Sequence, residues 1–351
     1  MTYIAKPKVH HPALQKNAIG LVRRDYEGSV TTLCAGCGHD SVTAAIIQAF
    51  WELSVHPHRV AKLSGIGCSS KTPTYFLREA HGFNGVHGRM PALVTGANAA
   101  NGDLLYIGVS GDGDSLSIGL GQLCHAIRRN VNALYVLENN GVYGLTKGQF
   151  SASADPGSLS KRGEANTMEA IDGCLLALTM GATFVARSFS GDKEQLVPLL
   201  KAGLAHKGFA FISIVSPCVT FNDHEGSTKS YAYTREHMVE VVEADFVMPT
   251  KAITTQYDPG TTRSVTLHDG SRVQLTKVAD DYDPTDRDRA YGYVREKHKA
   301  GQIVTGLLYI APDSSDMHEQ ANTVAAPLHD LPYETLCPGS AALDKLQTRF
   351  R

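Results

Sequence analysis

The residues best suited to chemistry are Gly111-Asp112-Gly113-Asp114 and, about 25 residues later, Asn139-Asn140. Glycines at Gly111 and Gly113 let the backbone approach a bulky anion, and the helix expected after them offers unpaired N–H groups to it. The anion expected there is a phosphate. Asp112 and the amide oxygen of Asn140 are hard oxygen donors of the kind octahedral magnesium takes, together with a backbone carbonyl and the oxygens of a diphosphate. The spacing therefore expects a metal-bound diphosphate. It does not fit a dinucleotide fingerprint, because Leu116 stands where a third glycine is needed, and it lacks the Gly-Lys-Ser/Thr of a P-loop.

Four of the seven cysteines form a second set of candidates. Cys34 and Cys37 make a Cys-x-x-Cys turn at the start of a helical pattern. Such a pair serves as a redox couple, half of a zinc site or half of an iron–sulfur site, and alone it decides nothing. Cys68, in SGIGCSS, and Cys218, after Pro217, also fall in turns beside expected strand ends. Together they have the shape of a four-thiolate site. Zinc and a [4Fe–4S] cluster are both held tetrahedrally by sulfur; one close pair and two distant singles favour the cluster over zinc, which usually takes two close pairs. Cys124, Cys174 and Cys337 read as packing residues or bystanders. His87, in a glycine-flanked loop, is either a neighbour of the diphosphate or a solvent-facing histidine.

These residues need a scaffold that brings strand ends together. An apolar run from Leu104, the glycine turn, a helical pattern through Arg129 and a strand from Ala133 to Leu137 make a β-turn-α-β unit. The same alternation recurs on both sides. A helix follows the Cys-x-x-Cys turn with Asp40 or Ser41 as its N-cap, and a strand leads into the Gly65–Gly67 turn. The segment from Gly82 reads as a loop through Arg89 followed by a helix of small residues. Later come a helix from Met168 to Gly181, a strand Thr183 to Arg187, a helix Glu194 to His206 and a strand Phe209 to Val215. Alternating strands and helices define an α/β fold with a doubly wound parallel sheet. Beyond about Asp223 the pattern dissolves into a hairpin about Asp269-Gly270, a charged turn and helix, a strand from Ile303 to Ile310 and some forty irregular residues. The expected division is an arm laid over the surface or a partner, or else a disordered tail, over residues 1–30, a ligand-binding domain over 31–230 and an extension over 231–351 that covers a partner or the site.

The chain has 351 residues, enough for a large core, with 33 basic and 35 acidic side chains and no basic run, which argues against a nucleic-acid partner. No segment has the length of a membrane span, and the first twenty residues lack a signal-peptide core. A cytoplasmic location is expected. An odd number of cysteines in a reducing compartment argues against a disulfide framework.

GDG followed by NN resembles the diphosphate-binding motif of thiamine diphosphate enzymes. With CAGCGH, SGIGCSS, HGR, GDGDSLSIG, ENNGVYGLTKGQ and SPCVTFN in order, the chain resembles the beta subunit of a 2-oxoacid:ferredoxin oxidoreductase over roughly residues 30 to 230. Two departures are visible. Leu33-Cys34-Ala35 replaces a frequent Trp-Cys-Pro, and the tail is longer than in the shorter members. The resemblance implies thiamine diphosphate, Mg2+ and a [4Fe–4S] cluster as cofactors. It makes Cys34, Cys37, Cys68 and Cys218 the cluster ligands, and Asp112, Asn140 and the carbonyl of Val142 the magnesium ligands. It places Gly111, Gly113, Asp114, Asn140, Gly144, Leu145 and Thr146 around the cofactor, with Ile66, Gly67, Cys68, Ser69 and His87 beside it. Lys71 becomes a candidate to meet a substrate carboxylate, which would suit 2-oxoglutarate over pyruvate; an exposed or interfacial lysine is the alternative. The implied reaction is coenzyme A-dependent oxidative decarboxylation of a 2-oxoacid with electrons passed to ferredoxin, reversible given a sufficiently reducing donor. The activating glutamate is expected on an alpha partner, in an (alpha-beta)2 assembly. A subunit of a non-oxidative thiamine decarboxylase, or a zinc-stabilised binding protein, would share part of this pattern.

Overall fold

The computed structural model describes residues 11–241, 262–266, 272–276 and 282–350. In chain order the strands are β1 (Val60–Ser64), β2 (His81–Asn84), β3 (Leu105–Gly111), β4 (Ala133–Asn139), β5 (Val142–Tyr143), β6 (Gln149–Phe150), β7 (Phe184–Phe189), β8 (Phe209–Val215), β9 (Met238–Glu240), β10 (Thr262–Thr266), β11 (Arg272–Thr276) and β12 (Ile303–Ile310). The main helices are α1 (Gly38–Glu52), α2 (Thr72–Tyr75), α3 (Met90–Ala100), α4 (Leu120–Arg128), α5 (Gly173–Met180), α6 (Lys193–Ala205), α7 (Tyr231–His237) and α8 (Arg287–Lys299).

Every residue of β4, β7 and β8 is buried, the mark of strands covered on both faces. Alternation assigns each side chain to one layer. Ala133, Tyr135 and Leu137 of β4 pack with Phe209 and Phe211 of β8 under α3, α4, α5 and α8. Leu134 and Val136, with Ala210, Ile212 and Ile214, face the opposite layer of α1 and α6. Full burial of one such aliphatic or aromatic side chain contributes about 1.5–3 kcal/mol, so the two layers together specify the sheet.

The sheet runs β2-β1-β3-β4-β8-β7-β12-β9. Its first six strands are parallel, as the alternation expects. β12 pairs antiparallel with β7 and parallel with β9, so two strands of the expected extension complete the same sheet. β10 and β11 pair antiparallel, and the expected turn between them at Asp269-Gly270 lies outside the described residues. β2 was not expected: it is an edge strand, exposed along its length, and carries no apolar signal. α1 begins at Gly38 with Cys37 as N-cap, ahead of the expected Asp40 or Ser41, because the Gly38 N–H is taken by Pro217 O at 3.2 Å. α5 is shorter than expected; Asp172 caps it by accepting from Cys174 N and Leu175 N. Within the first segment, Tyr26 is fully buried, which anchors that part of the arm to the body. Among the described residues no helix is long and apolar enough to cross a membrane.

α6 ends at a titratable lock. His206 Nε2 lies 2.8 Å from Thr183 Oγ1, its ring is tilted against Phe184, and burial pushes its pKa down to about 4. A histidine lowered in the fold from an unfolded value near 6.5 supports the fold fully above that value and loses the support as pH falls toward its folded value. Wild type should therefore lose more melting temperature between about pH 6.5 and pH 4 than His206→Gln does. Parallel pH–melting curves for the two proteins would remove this role.

Candidate active site

Three strand ends build the site: β1 leads to Gly65–Ser69, β3 to Asp112–Asp114, and β4 to Asn139–Val142. Asp112 is buried beneath them. Its Oδ2 accepts from Gly141 N at 3.0 Å, from Ser153 Oγ at 2.6 Å and from Ser151 Oγ. Burial pushes its pKa up, and the serine hydroxyls oppose that. Gly141 takes a positive φ of 75°, which lets the chain reverse after Asn140 and present Val142 to the same cleft. Asn140 Oδ1 accepts from Val142 N at 3.1 Å, while Asn222 Nδ2 donates to Asn140 O at 2.7 Å.

The turn after Asp112 is wider than an α-helical one. Residues Gly113–Ile118 wind as a π-helix closed by Gly119 N to Asp114 O at 2.9 Å, a feature that recurs at functional sites. It turns Asp114 inward, where Oδ1 accepts from Gly88 N at 2.8 Å and lies 3.1 Å from His87 Nδ1, and Oδ2 accepts from Ser110 Oγ at 2.8 Å. Asp114 thus ties the His87 loop to β3. The space at two glycines is used by protein: a Cβ at Gly111 would stand 2.4 Å from Ser69 Oγ, and one at Gly113 2.4 Å from the Tyr143 ring. Gly67, with φ of 135°, has nothing within 4 Å of its missing Cβ and leaves open room.

The resulting cleft is lined by Ile66, Gly67, Cys68, Ser69, His87, Gly111, Asp112, Gly113, Asp114, Asn140, Val142, Gly144, Leu145 and Thr146, all singled out in the sequence, and by His39 and Tyr143, which were not. Lys71 is not among the lining residues. Its charge acts on the Cys68 thiol instead, favouring the thiolate against the stronger effect of burial.

The four loop cysteines meet at one side of this cleft. Cys37 N donates to Cys34 O at 3.0 Å, and Thr220 Oγ1 lies 3.3 Å from Cys34 Sγ, so the Cys-x-x-Cys turn packs on the Pro217–Thr220 loop. A Cβ at Gly144 would stand 3.5 Å from Cys68 Sγ and 3.6 Å from Cys218 Sγ. Burial pushes the Cys37 thiol up to about 12 and raises Cys68 and Cys218, and the negative charge that another of the four would carry raises each further. Among the described residues no three His, Cys, Asp or Glu side chains close tightly enough to hold a single metal ion. The other three cysteines stand apart: Cys174 is buried, Cys124 partly so and Cys337 exposed.

Glu138, one residue before the asparagine pair, was missed by the sequence reading. Alternation along β4 sends it to the α1 layer, fully buried, where Thr72 Oγ1 donates to both its oxygens at 3.1 Å. His39 Nδ1 lies 3.4 Å from Glu138 Oε2 and 2.6 Å from Ser216 Oγ. Burial lowers His39 to about 4, which leaves it uncharged at neutral pH, and pushes Glu138 up from the ordinary carboxylate value. They join the loops bearing Cys37, Cys68 and Cys218 from beneath. Ser151 and Ser153 were also missed, because serines in a polar loop carry no signal until the loop is placed over Asp112.

Residues 65–214 match the model of the thiamine pyrophosphate enzyme C-terminal TPP binding domain, the class of protein that the parallel sheet and the strand-end cleft define. The chain is 43% identical over 191 residues to the 2-oxoacid:ferredoxin oxidoreductase subunit beta of Sulfolobus sp, covering 54% of this chain and 63% of that one. It is 36% identical over 212 residues to the 2-oxoglutarate synthase subunit KorB of Methanocaldococcus jannaschii, covering 60% of this chain and 75% of the relative. A solved structure of 2-oxoglutarate:ferredoxin oxidoreductase from Magnetococcus marinus, with 2-oxoglutarate, coenzyme A and succinyl-CoA bound, superposes with a TM-score of 0.70 at 30% identity, over 89% of this chain and 91% of that one. The chain belongs to the family of 2-oxoacid:ferredoxin oxidoreductase beta subunits.

The anchoring of Asp114 can be tested from β1. A Cβ at Gly65 would stand 1.9 Å from Asp114 Oδ2. Gly65→Ala should displace the carboxylate from its donors and cost about 1–3 kcal/mol of stability, read by thermal or denaturant unfolding. An unchanged midpoint would show that Asp114 does not hold the loop.

Proposed function

We propose that this chain is the cofactor-bearing beta subunit of a coenzyme A-dependent 2-oxoacid oxidoreductase that passes electrons to ferredoxin, with 2-oxoglutarate as substrate. The observation that carries the reading is the position of Gly144: it lines the diphosphate cleft and packs beside the thiols of Cys68 and Cys218. A diphosphate cleft and a thiolate cluster side by side suit a reaction in which electrons leave the carbon centre one at a time.

The donor sets fit the groups assigned to them. Asp112, Asn140 and Val142 line one cleft, and the two side chains with the Val142 carbonyl offer hard oxygens of the kind magnesium takes. Cys34, Cys37, Cys68 and Cys218 come from three loops, one close pair and two distant singles, and a [4Fe–4S] cluster takes four such thiolates. Bound in these places, thiamine diphosphate supplies the nucleophilic carbon for 2-oxoacid decarboxylation and the [4Fe–4S] cluster a one-electron route outward. The chain's own part is positional. Gly141, Ser151 and Ser153 fix the Asp112 carboxylate through one oxygen, and Asp114 holds the His87 loop at the cleft wall. Buried Glu138 and neutral His39 brace the cysteine loops from beneath through Thr72 and Ser216.

The cleft, about 90 Å³, is far below the size of pockets that enclose a whole cofactor. An alpha subunit is therefore assigned the remaining wall and the activating glutamate, in an (alpha-beta)2 arrangement. Support for 2-oxoglutarate comes from the names of the relatives, since Lys71 stands outside the cleft lining.

Anaerobic co-expression with the alpha partner should yield about four irons in the site of the four cysteines, and viologen reduction that requires both coenzyme A and a 2-oxoacid. The single chain should show no turnover. Zinc in place of iron, or decarboxylation without viologen reduction, would overturn the reading. In the same complex, Asp112→Ala should weaken magnesium-dependent thiamine diphosphate binding by about 100-fold or more in calorimetry, the scale of losing a metal's supporting carboxylate.

A further inference from the structure

A second cavity opens at the carboxyl ends of β4 and β8, on the other side of the Ser151–Pro156 loop from the cofactor cleft. Its volume is about 260 Å³, and Asn139, Val215, Arg187 of β7 and Ile303 of β12 contribute to its walls. Carboxyl ends of parallel strands are where open α/β sheets bind ligands. Nothing in the proposed reaction uses it.

The polar groups here are unevenly satisfied. Asp172 accepts from Cys174 N, Leu175 N and Arg187 Nη2, and lies 3.6 Å from His298 Nδ1. Asp155 Oδ2 accepts from Thr228 Oγ1 at 2.5 Å and Lys229 Nζ at 2.6 Å. Both carboxylates are thus occupied. Arg187 is engaged by Asp172 and Cys174, and Lys229 by Asp155. Lys299, exposed at the mouth, has no ion pair among the described residues. Three cations, Arg187, Lys229 and Lys299, therefore stand against two carboxylates around this cavity, a positive excess that favours an anionic ligand. The two aspartates would repel a compact dianion, whereas carboxylates at opposite ends of a short chain can each take one cation.

We propose that this cavity is a binding site for a small dicarboxylate, distinct from the cofactor cleft, and that its occupancy is sensed at Asp112. The link is Ser153, which lines the cavity and donates both to Asp112 Oδ2 at 2.6 Å and to Asn139 Oδ1 at 2.9 Å. Asp155, on the same loop, holds Lys229. A carboxylate drawing Lys229 toward itself pulls on the loop that fixes Asp112. The binding half stands without the thiamine reading; the sensing half rests on it.

The test is calorimetric titration of the full chain with succinate and, separately, with inorganic phosphate. Succinate should bind saturably at one site per chain and more tightly than phosphate. Lys299→Glu, an exposed change whose folding is checked by its melting curve, should weaken succinate by about tenfold or more, the scale of one charge-assisted contact. Lys229→Met should do the same where it folds. Asp112→Ala should leave succinate binding in place. Absence of saturable binding, phosphate binding as tight as succinate, or binding lost in Asp112→Ala and retained in Lys299→Glu would each overturn the site. In the alpha-beta complex, saturating succinate should shift the dissociation constant of thiamine diphosphate; an unchanged constant with succinate bound would overturn the coupling while leaving the site.

Discussion

A carboxylate fixed in a buried position has to be held by donors from more than one direction, and Asp112 meets that demand through a single oxygen. Gly141 N comes from the turn after β4, while Ser151 and Ser153 come from the loop beyond the small β5–β6 hairpin. Without them a buried carboxylate would cost several kcal/mol or take up a proton. The positive φ of Gly141, the reversal of the chain over the cleft and the seating of the serine loop follow from this one requirement. So does the adjacency of the two cavities, since the loop that satisfies Asp112 on one side forms a wall on the other.

The second organising constraint is the period of two along the central strand. Glu138 and Asn139 are sequence neighbours, yet they enter opposite layers. Glu138 goes beneath the cysteine loops, and Asn139 goes toward Ser153. A shift of one residue in β4 would exchange them, burying an amide beneath the thiols and a carboxylic acid beside Asp112. The hydrophobic residues that precede them guard against that slip, because Tyr135 and Leu137 belong to one layer and Leu134 and Val136 to the other. Packing in the middle of the strand thereby sets the chemistry at its end.

Much of this was legible in the sequence. β8 falls at Phe209–Val215 as expected, because a continuous apolar run between turns has few other uses. The residues that line the strand-end cleft were nearly all named, since glycine, aspartate and asparagine at strand ends carry a local signal. What escaped notice was relational. β2 makes its hydrogen bonds to one neighbour only and stays exposed, so its residues are polar. His39 and Glu138 stand about half the domain's length apart in sequence and become partners only through the pairing order. The membership of β9 and β12 in the main sheet could not be read from their own residues, because the antiparallel pairing of β12 with β7 depends on which edge the preceding strands leave free.

That edge has a consequence for any attempt to shorten the molecule. β7 is buried at all six residues, and β12 supplies one of its two flanks. A chain ended after the cofactor loops would keep every residue of the cleft. It would also bare the backbone of Phe-Val-Ala-Arg-Ser-Phe as a long, flat, apolar edge, the kind that recruits strands from other chains. The late segment therefore protects the molecule against self-association, and a minimal version of this domain has to end after Ile310 rather than after Asn222.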